Sequence, residues 1–257
     1  MSSILNNVSA IGASHQLAIT GTGMQATIQR LTTGKRINLA SDDASGLVIA
    51  NTLTSGTKVD NQGQRNANDL LTNLQTLDGT LNEATNLLTR AAELAQEAEA
   101  NGAQNAPLDA EYQSILGTFN TLVLTGGGGT GQSTMTTALG SYGTTSLTVT
   151  LSAVANLTGS LSSGTNAAAA ATLISTALTD IGTRRGGIGA GEESLQSYSN
   201  VLGIQMQNKT AQLSQIQDAN VADEVVNLTK FQILNQSGIS ALSKANQAGQ
   251  SILSLLQ

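Results

Sequence analysis

The stretch from Ala67 to Ala98, ANDLLTNLQTLDGTLNEATNLLTRAAELAQEA, carries the most regular pattern in the chain. Its apolar residues fall at Ala67, Leu70, Leu74, Leu77, Leu81, Ala84, Leu88, Ala91, Ala95 and Ala98. The steps alternate between three and four, an unbroken heptad seam that belongs to a long helix supercoiled against partners. Leu71, Leu87 and Leu94 widen the stripe, so more than one partner helix is expected. A helix from about 60 to 100 would run roughly 60 Å at 1.5 Å per residue. Asn101-Gly102 is a natural stop for it.

Downstream, Pro107 suits the first turn of a second helix. Leu108, Tyr112, Ile115, Phe119 and Leu122 continue the 4-3 step, which predicts a hairpin folded back on the first helix. Upstream, Ile4, Val8 and Ile11 make a short stripe, and Leu17, Met24, Ile28 and Leu31 resume it in a shifted phase. Gly12, Gly21 and Gly23 weaken that helix by about 1 kcal/mol each against Ala, so it needs something to pack on. At the other end, Leu195, Leu202, Met206, Leu213 and Ile216 mark one long helix. Phe231, Gly238, Leu242, Ala245, Gly249, Ile252 and Leu256 mark another. The apolar finish Ser251–Gln257 is unusual for a chain end, which is ordinarily solvated. Between the helical arms, Gly126–Gly129 read as a loop, and Leu147, Val149, Leu151 and Ala153 alternate with Thr and Ser as a strand does. The reading is mainly α: a long antiparallel helical bundle or coiled coil with a small β-hairpin region, the terminal helices paired as an inner coiled coil.

Composition narrows the function. Aromatics are 2% of the 257 residues, Trp and Cys are absent, and charged residues are only 11%. A deep ligand pocket ordinarily draws on aromatic lining. The surface is polar but sparsely charged, which lets copies approach one another. A net charge of -6 with no Lys/Arg cluster opposes nucleic-acid binding. No run of about 20 apolar residues predicts a membrane span, and Met1–Ala10 lacks the basic and apolar regions of a signal peptide.

The sites of possible chemistry are weak, and no enzyme activity, cofactor or metal is expected. Gly126–Ser133 has a P-loop outline, but Gln132 stands where the phosphate-binding Lys is needed. His15, the sole histidine, is read as a seam or surface residue, without the nucleophile and carboxylate of a triad. Asp42-Asp43 and Glu192-Glu193 are adjacent pairs whose members diverge on a helix. Capping of a helix that starts near Ala44 accounts for the first pair. Asn-x-Ser/Thr triplets at Asn7, Asn156, Asn208, Asn227 and Asn235 are what chance supplies in so Asn- and Thr-rich a chain.

One combination of motifs is specific. Arg30-Leu31-Thr32-Thr33-Gly34-Lys35-Arg36-Ile37-Asn38-Leu39-Ala40-Ser41-Asp42-Asp43-Ala44-Ser45-Gly46 resembles the signature of bacterial flagellins, as does Gln64-Arg65-Asn66-Ala67-Asn68-Asp69. Phe231–Gly238, Ala245-Asn246-Gln247 and Ser251–Gln257 are similar to that family's C-terminal motif. Together these cover residues 1 to 125 and 170 to 257. The resemblance implies a structural subunit that polymerises into a hollow helical filament for motility; a hook-filament junction protein is the related alternative. It implies an inner terminal-helix domain of residues 1–42 plus 218–257, a helical rod domain of 43–125 plus 166–217, and a β-hairpin part at 126–165, with no outer variable domains. Subunit-interface residues are then expected among Ile4, Val8, Ile11, Leu31, Arg36, Asn38, Asp42, Asp43, Leu242, Ile252, Leu253, Leu255 and Leu256. The implied partners are further copies of the chain, flagellar cap and hook-junction proteins and an export chaperone, at an extracellular location reached by type III export without a cleaved signal peptide. Arg90, Leu94 and Glu97 occupy the family's toll-like receptor epitope, while the plainer reading gives them to packing. Gly186, Gly187, Gly189 and Gly191 stand where the family has continuous helix, and they predict a kink or local break.

Overall fold

A computed structural model describes residues 7–102, 106–125, 134–138, 146–151 and 154–254. Among them the order is α1 (Val8–Thr33), α2 (Ala44–Asn101), α3 (Ala106–Thr125), β1 (Thr134–Ala138), β2 (Ser146–Thr150), α4 (Gly164–Gln217) and α5 (Val221–Ser254). The fold is mainly helical with one small antiparallel sheet, as the heptads and the alternating stretch predict. The chain forms two compact units, Met1–Ser55 with Lys209–Gln257, and Gly56–Asn208. Helices α2 and α4 contribute to both.

In the central unit, all ten seam positions from Ala67 to Ala98 are buried, with Leu74 and Leu88 at 0% exposure. The matching seam on α4 is Ala167, Ala170, Ile174, Ala177, Ile181, Arg184, Ile188, Gly191 and Leu195, again in strict 3-4 steps and all buried. Asp78 pairs with Arg185, and a Cβ on Gly191 would lie 3.4 Å from Leu74 while one on Gly164 would lie 3.8 Å from the Glu99 carbonyl. Rising numbers on one helix therefore meet falling numbers on the other, so α2 and α4 run antiparallel. Helix α2 starts at Ala44 and is longer than the 60–100 span of its clearest periodicity, because Thr, Asn and Gly fill its first turns. It ends at Asn101, with Gly102 in the left-handed region at φ 71°.

Helix α3 folds back on α2, tied by Arg90 to Glu111 at 2.9 Å. Its buried stripe is Tyr112, Leu116, Phe119 and Val123. Leu108, Ile115 and Leu122, expected in the stripe, flank it half-buried because the supporting elements meet α3 on the other side of Tyr112. One element has no counterpart in the sequence pattern. Leu151 is buried directly after β2, and from Val154 to Leu161 the chain is an irregular strap that buries Val154, Leu157 and Leu161. Polar side chains on one face of α3 hold its backbone: Asp109 accepts from the Leu161 N–H, Gln113 donates to the Gly159 carbonyl, and Asn120 exchanges two bonds with Leu157. The strand expected to continue through Leu151 stops at Thr150, which pairs with Thr134, the first residue of β1; Ala153 lies outside the described residues.

The two strands pair with Thr136 opposite Thr148 and Met135 opposite Val149. Met135, Leu147 and Val149 face the core together with the half-buried Thr137, leaving Thr134, Thr136, Thr148 and Thr150 outward. This hairpin explains two of the glycines of α4, Gly187 and Gly191; a Cβ on Gly186 or Gly189 would meet nothing within 4 Å. The helix is continuous through Gly186, Gly187, Gly189 and Gly191, with no break. A Cβ on Gly187 would stand 3.3 Å from the Thr150 carbonyl, and one on Gly191 would stand 2.8 Å from a Val149 methyl carbon. Those two glycines let β2 lie against α4. At Gly182, in contrast, an added Cβ would meet nothing within 4 Å. Gly191→Ala is therefore expected to destabilise by about 1–3 kcal/mol through overpacking. Gly182→Ala should stabilise by about 1 kcal/mol through helix propensity. Urea denaturation of both variants checks this, and a shift of the same sign in both would refute the close-approach explanation. Arg184 is fully buried in the same seam, and burial holds its guanidinium below the ordinary arginine pKa.

Candidate assembly surface

In the terminal unit, α1 and α5 pair antiparallel. Asn7 donates to the Ala245 carbonyl at 2.9 Å, Leu17 lies against Gly238, the Phe231 ring lies against Gly23, and Arg30 meets Glu224 at 3.4 Å. The α1 seam is Ala10, Ala13, Leu17, Thr20, Met24, Thr27 and Leu31, and the α5 seam is Glu224, Leu228, Phe231, Asn235, Gly238, Leu242 and Ala245. Both follow a 3-4 step. The α1 stripe is faint in the sequence because Thr20 and Thr27 hold its most buried positions; each hydroxyl donates to a carbonyl one turn back, which lets the methyl face the partner. Ile28, expected in the stripe, is exposed instead. Gly23 and Gly238 are sockets: a Cβ on Gly23 would come within 2.7 Å of Phe231, and one on Gly238 within 3.2 Å of Leu17.

The seam accounts for only one face of each helix. Val8 and Ile11 of α1 are 70% and 62% exposed, and Ile19 is also exposed. Each stands two residues from a seam position, about 200° round the helix at about 100° per residue. Helix α5 repeats the arrangement: Val226 and Ile233 lie two residues beyond Glu224 and Phe231. With Val225, Thr229, Lys230 and Leu234 they line a shallow apolar groove. Two opposed apolar faces on a helix mean two partners, and among the described residues each of these helices packs on one other helix.

Of the expected interface residues, Val8 and Ile11 thus stand on the outer face, whereas Leu31 and Leu242 are half-buried in the α1–α5 seam. Ile4, Leu255 and Leu256 lie outside the described residues. Ile252 and Leu253 fall in the last turns of α5, and their side chains lie outside the described ones. Arg36, Asn38, Asp42 and Asp43 build the connection between α1 and α2. The Arg36 guanidinium donates to the Ile216 carbonyl at 3.0 Å, and the Arg36 backbone N–H donates to that of Gln217 at 2.6 Å. The Ala219 N–H donates to the Gly34 carbonyl at 2.9 Å, the backbones of Lys35 and Asp218 form an isolated antiparallel β-bridge, and the Asn38 side chain donates to the Lys35 carbonyl. Asp43 caps α2 by accepting from the Gly46 N–H at 2.8 Å. Ile37 is buried beneath this connection, against Gly46. No periodicity could have marked Ile37, since it belongs to no helix.

Asp42 accepts from the N–H groups of Leu39 and Asn38, both at 3.0 Å, and stands 3.9 Å from Arg30. Those backbone bonds, Leu39 first, and then Arg30 hold its pKa below the usual carboxylate value. The folded state prefers the charged form, so its contribution is complete above the ordinary carboxylate pKa and is lost as pH falls through the depressed folded value. The thermal midpoint of the chain should drop on acidification below about pH 4, and Asp42→Asn should flatten that drop. Parallel pH profiles for the two proteins would exclude Asp42 as a contributor.

Leu94 is buried in the core of the central unit at 1% exposure. Its side chain serves packing there and is not presented to a partner. Arg90 and Glu97 are exposed, and Arg90 is held by both Glu93 and Glu111. His15 is exposed on α1. The P-loop outline lies outside the described residues. Among the described residues no helix is long and apolar enough to cross a membrane.

Known proteins match this arrangement along nearly its whole length. Residues 4–125 match the bacterial flagellin N-terminal helical region and residues 171–256 the bacterial flagellin C-terminal helical region. The chain is 30% identical to the flagellar filament 30.7 kDa core protein of Treponema maltophilum, over 98% of this chain and 99% of that protein. It is 31% identical to flagellin FlaB2 of Treponema pallidum (strain Nichols) and 31% identical to a flagellin of Halalkalibacterium halodurans, in each case over 99% of both chains.

Proposed function

Because this chain belongs to the bacterial flagellin family and is a structural subunit of the flagellar filament, an extracellular appendage, we propose that the outer faces of α1 and α5 are where copies of it join. The observation that carries this reading is the second apolar face on each terminal helix, exemplified by Ile11 and Ile233. The family self-assembles, and an open helical polymer needs heterologous contacts, in which one surface meets a different surface on the next copy. Two unlike outer faces in one unit meet that requirement. The terminal pair is weak by itself: its seam contains Thr20, Thr27, Glu224 and Asn235 and few large apolar side chains. Burial of the outer faces between copies would offset the ordering entropy of these helices. The apolar finish Ile252, Leu253, Leu255 and Leu256 and the N-terminal Ile4 would extend the same contact.

In this reading residues 1–42 and 218–257 form the assembly domain, and 43–217 with its β-hairpin forms a preassembled body. Cap and hook-junction proteins would meet the same terminal faces at the filament ends, and an export chaperone would cover the C-terminal one before assembly. With Leu94 internal, an immune receptor would find only Arg90 and Glu97 of the three epitope positions.

The test is seeded growth. Filaments melted by heat to monomers should regrow when cooled with filament fragments. A chain lacking Ser251–Gln257 should fail to elongate the same seeds while keeping the helical circular-dichroism signal of residues 56–208. Normal filaments from the shortened chain, seen by electron microscopy, would overturn the reading.

A further inference from the structure

Two dipeptides in this chain place an Asp or Asn directly before glycine, Asp78-Gly79 and Asn101-Gly102. In such pairs the glycine nitrogen can approach the preceding side-chain carbonyl carbon unhindered, since glycine has no Cβ and tolerates most backbone angles. The structure treats the two pairs in opposite ways. Asp78 lies in the middle of α2, where the peptide is locked by helix hydrogen bonds. Both its carboxylate oxygens are held by Arg185, at 2.8 and 3.1 Å. Asn101 is the last residue of α2. Its side chain is exposed. Gly102 follows in the left-handed region. Gly102 takes part in a bond of its own, but it stands at the helix terminus, where ends open at little cost and the Gly102 nitrogen can then turn onto the Asn101 Cγ.

We propose that Asn101 is a site of spontaneous deamidation, a non-enzymatic modification that converts it to aspartate or isoaspartate. The Gly102 nitrogen attacks the Asn101 Cγ and loses its proton, the C–N bond of the side-chain amide breaks, and ammonia leaves with that proton. The resulting five-membered succinimide is opened by water at either carbonyl. Opening at one restores a normal aspartyl peptide; opening at the other leaves the backbone running through the side-chain carbon. The sum is asparagine plus water giving a carboxylic acid plus ammonia, with no oxidant or reductant involved.

The position gives this change a physical effect. A new carboxylate adds one negative charge to a chain already at -6. It appears at a helix C-terminus, where the macrodipole is itself negative, one turn beyond Glu97 and with no basic residue in that turn. The isoaspartyl product also lengthens the main chain by one carbon at the start of the α2–α3 connection. Both changes loosen the end of α2 as the protein ages.

The full-length folded protein, incubated at mildly alkaline pH and sampled over days, tests the proposal by peptide mapping. The Asn101 peptide should gain about 1 Da, as an amide NH2 is exchanged for OH, before any other asparagine peptide does. It should become a substrate for an isoaspartyl methyltransferase. The Asn101→Gln protein should show neither signal in that peptide, and the Asp78 peptide should stay unlabelled. A folded protein that keeps Asn101 intact while the urea-unfolded chain loses it would overturn the proposal, as would labelling that persists in Asn101→Gln. Neither outcome depends on filament formation, so the result stands apart from the assembly reading.

Discussion

A chain carrying Val226→Asp and Ile233→Asp is expected to remain a folded monomer and to lose seeded polymerisation. Both side chains are exposed, at 67% and 64%, so in the monomer the carboxylates stay in water and the α1–α5 seam is untouched. In an interface built on this face they would be buried with one groove cation, Lys230, between two carboxylates, so at least one carboxylate is left unpaired. Taking even one unpaired carboxylate out of water costs several kcal/mol after relaxation. A loss of about 3 kcal/mol per subunit would raise the critical concentration by about 100-fold. Sedimentation of filaments against total protein concentration measures this directly. Phe231→Ala is the informative comparison. It empties the socket at Gly23, so it should lower the stability of the α1–α5 pair itself, a change visible in the monomer. An unaltered critical concentration in the double-Asp protein would remove α5 from the assembly surface.

The second large effect concerns the body of the molecule. Leu88→Ala should cost about 2–5 kcal/mol, the range for emptying a fully buried leucine site. Leu88 is wholly buried, and it sits in the stretch of seam where α2 meets both α3 and α4. For a unit of this size, each kcal/mol lowers the melting midpoint by about 2–4 °C. Calorimetry of the central-unit transition should therefore show a drop of about 5–15 °C. Ile204→Ala, at an exposed position on α4, serves as the control and should stay within about 0.5 kcal/mol of the parent. A small effect at Leu88 would mean that the heptad seam is not the organising contact of this unit.

The legibility of the fold in the sequence follows residue size. Where large aliphatic residues mark a seam, as from Leu70 to Leu94, the pattern is plain and every seam position is buried. Where the large residues Ile174, Ile181, Ile188 and Leu195 are separated by Ala, Gly and one Arg, as on α4, the stripe is faint, although Ala167 to Leu195 keep the same 3-4 step. The glycines of α4 mark the limit most clearly. Their low helix propensity suggests a break, but two of them, Gly187 and Gly191, provide room for β2, while a Cβ on Gly186 or Gly189 would meet nothing within 4 Å; the neighbouring strand makes the difference. Leu94 shows a related limit. Its heptad-flanking position allows either a surface or a core role, and the packing of the central unit decides for the core. The motif residues Arg36, Asn38, Asp42 and Asp43 are recognisable by their order alone, while the work of Arg36 in tying the α1–α2 connection to the end of α4, and of the other three in holding that connection, is visible only as hydrogen bonds.

The amino-acid order by itself determined the helical periods, a cap within the Asp42-Asp43 pair and the stop at Gly102, the hairpin's alternation and membership of a filament-forming family. These depend on spacing along the chain, where each residue's period and backbone preference act locally. Only the tertiary structure decided which threonines are internal, which glycines are sockets, where the strap lies on α3, and which face of each terminal helix remains uncovered. Those properties depend on the distance to a partner remote in sequence, and a side chain of one or two carbons is buried or exposed according to how closely that partner approaches.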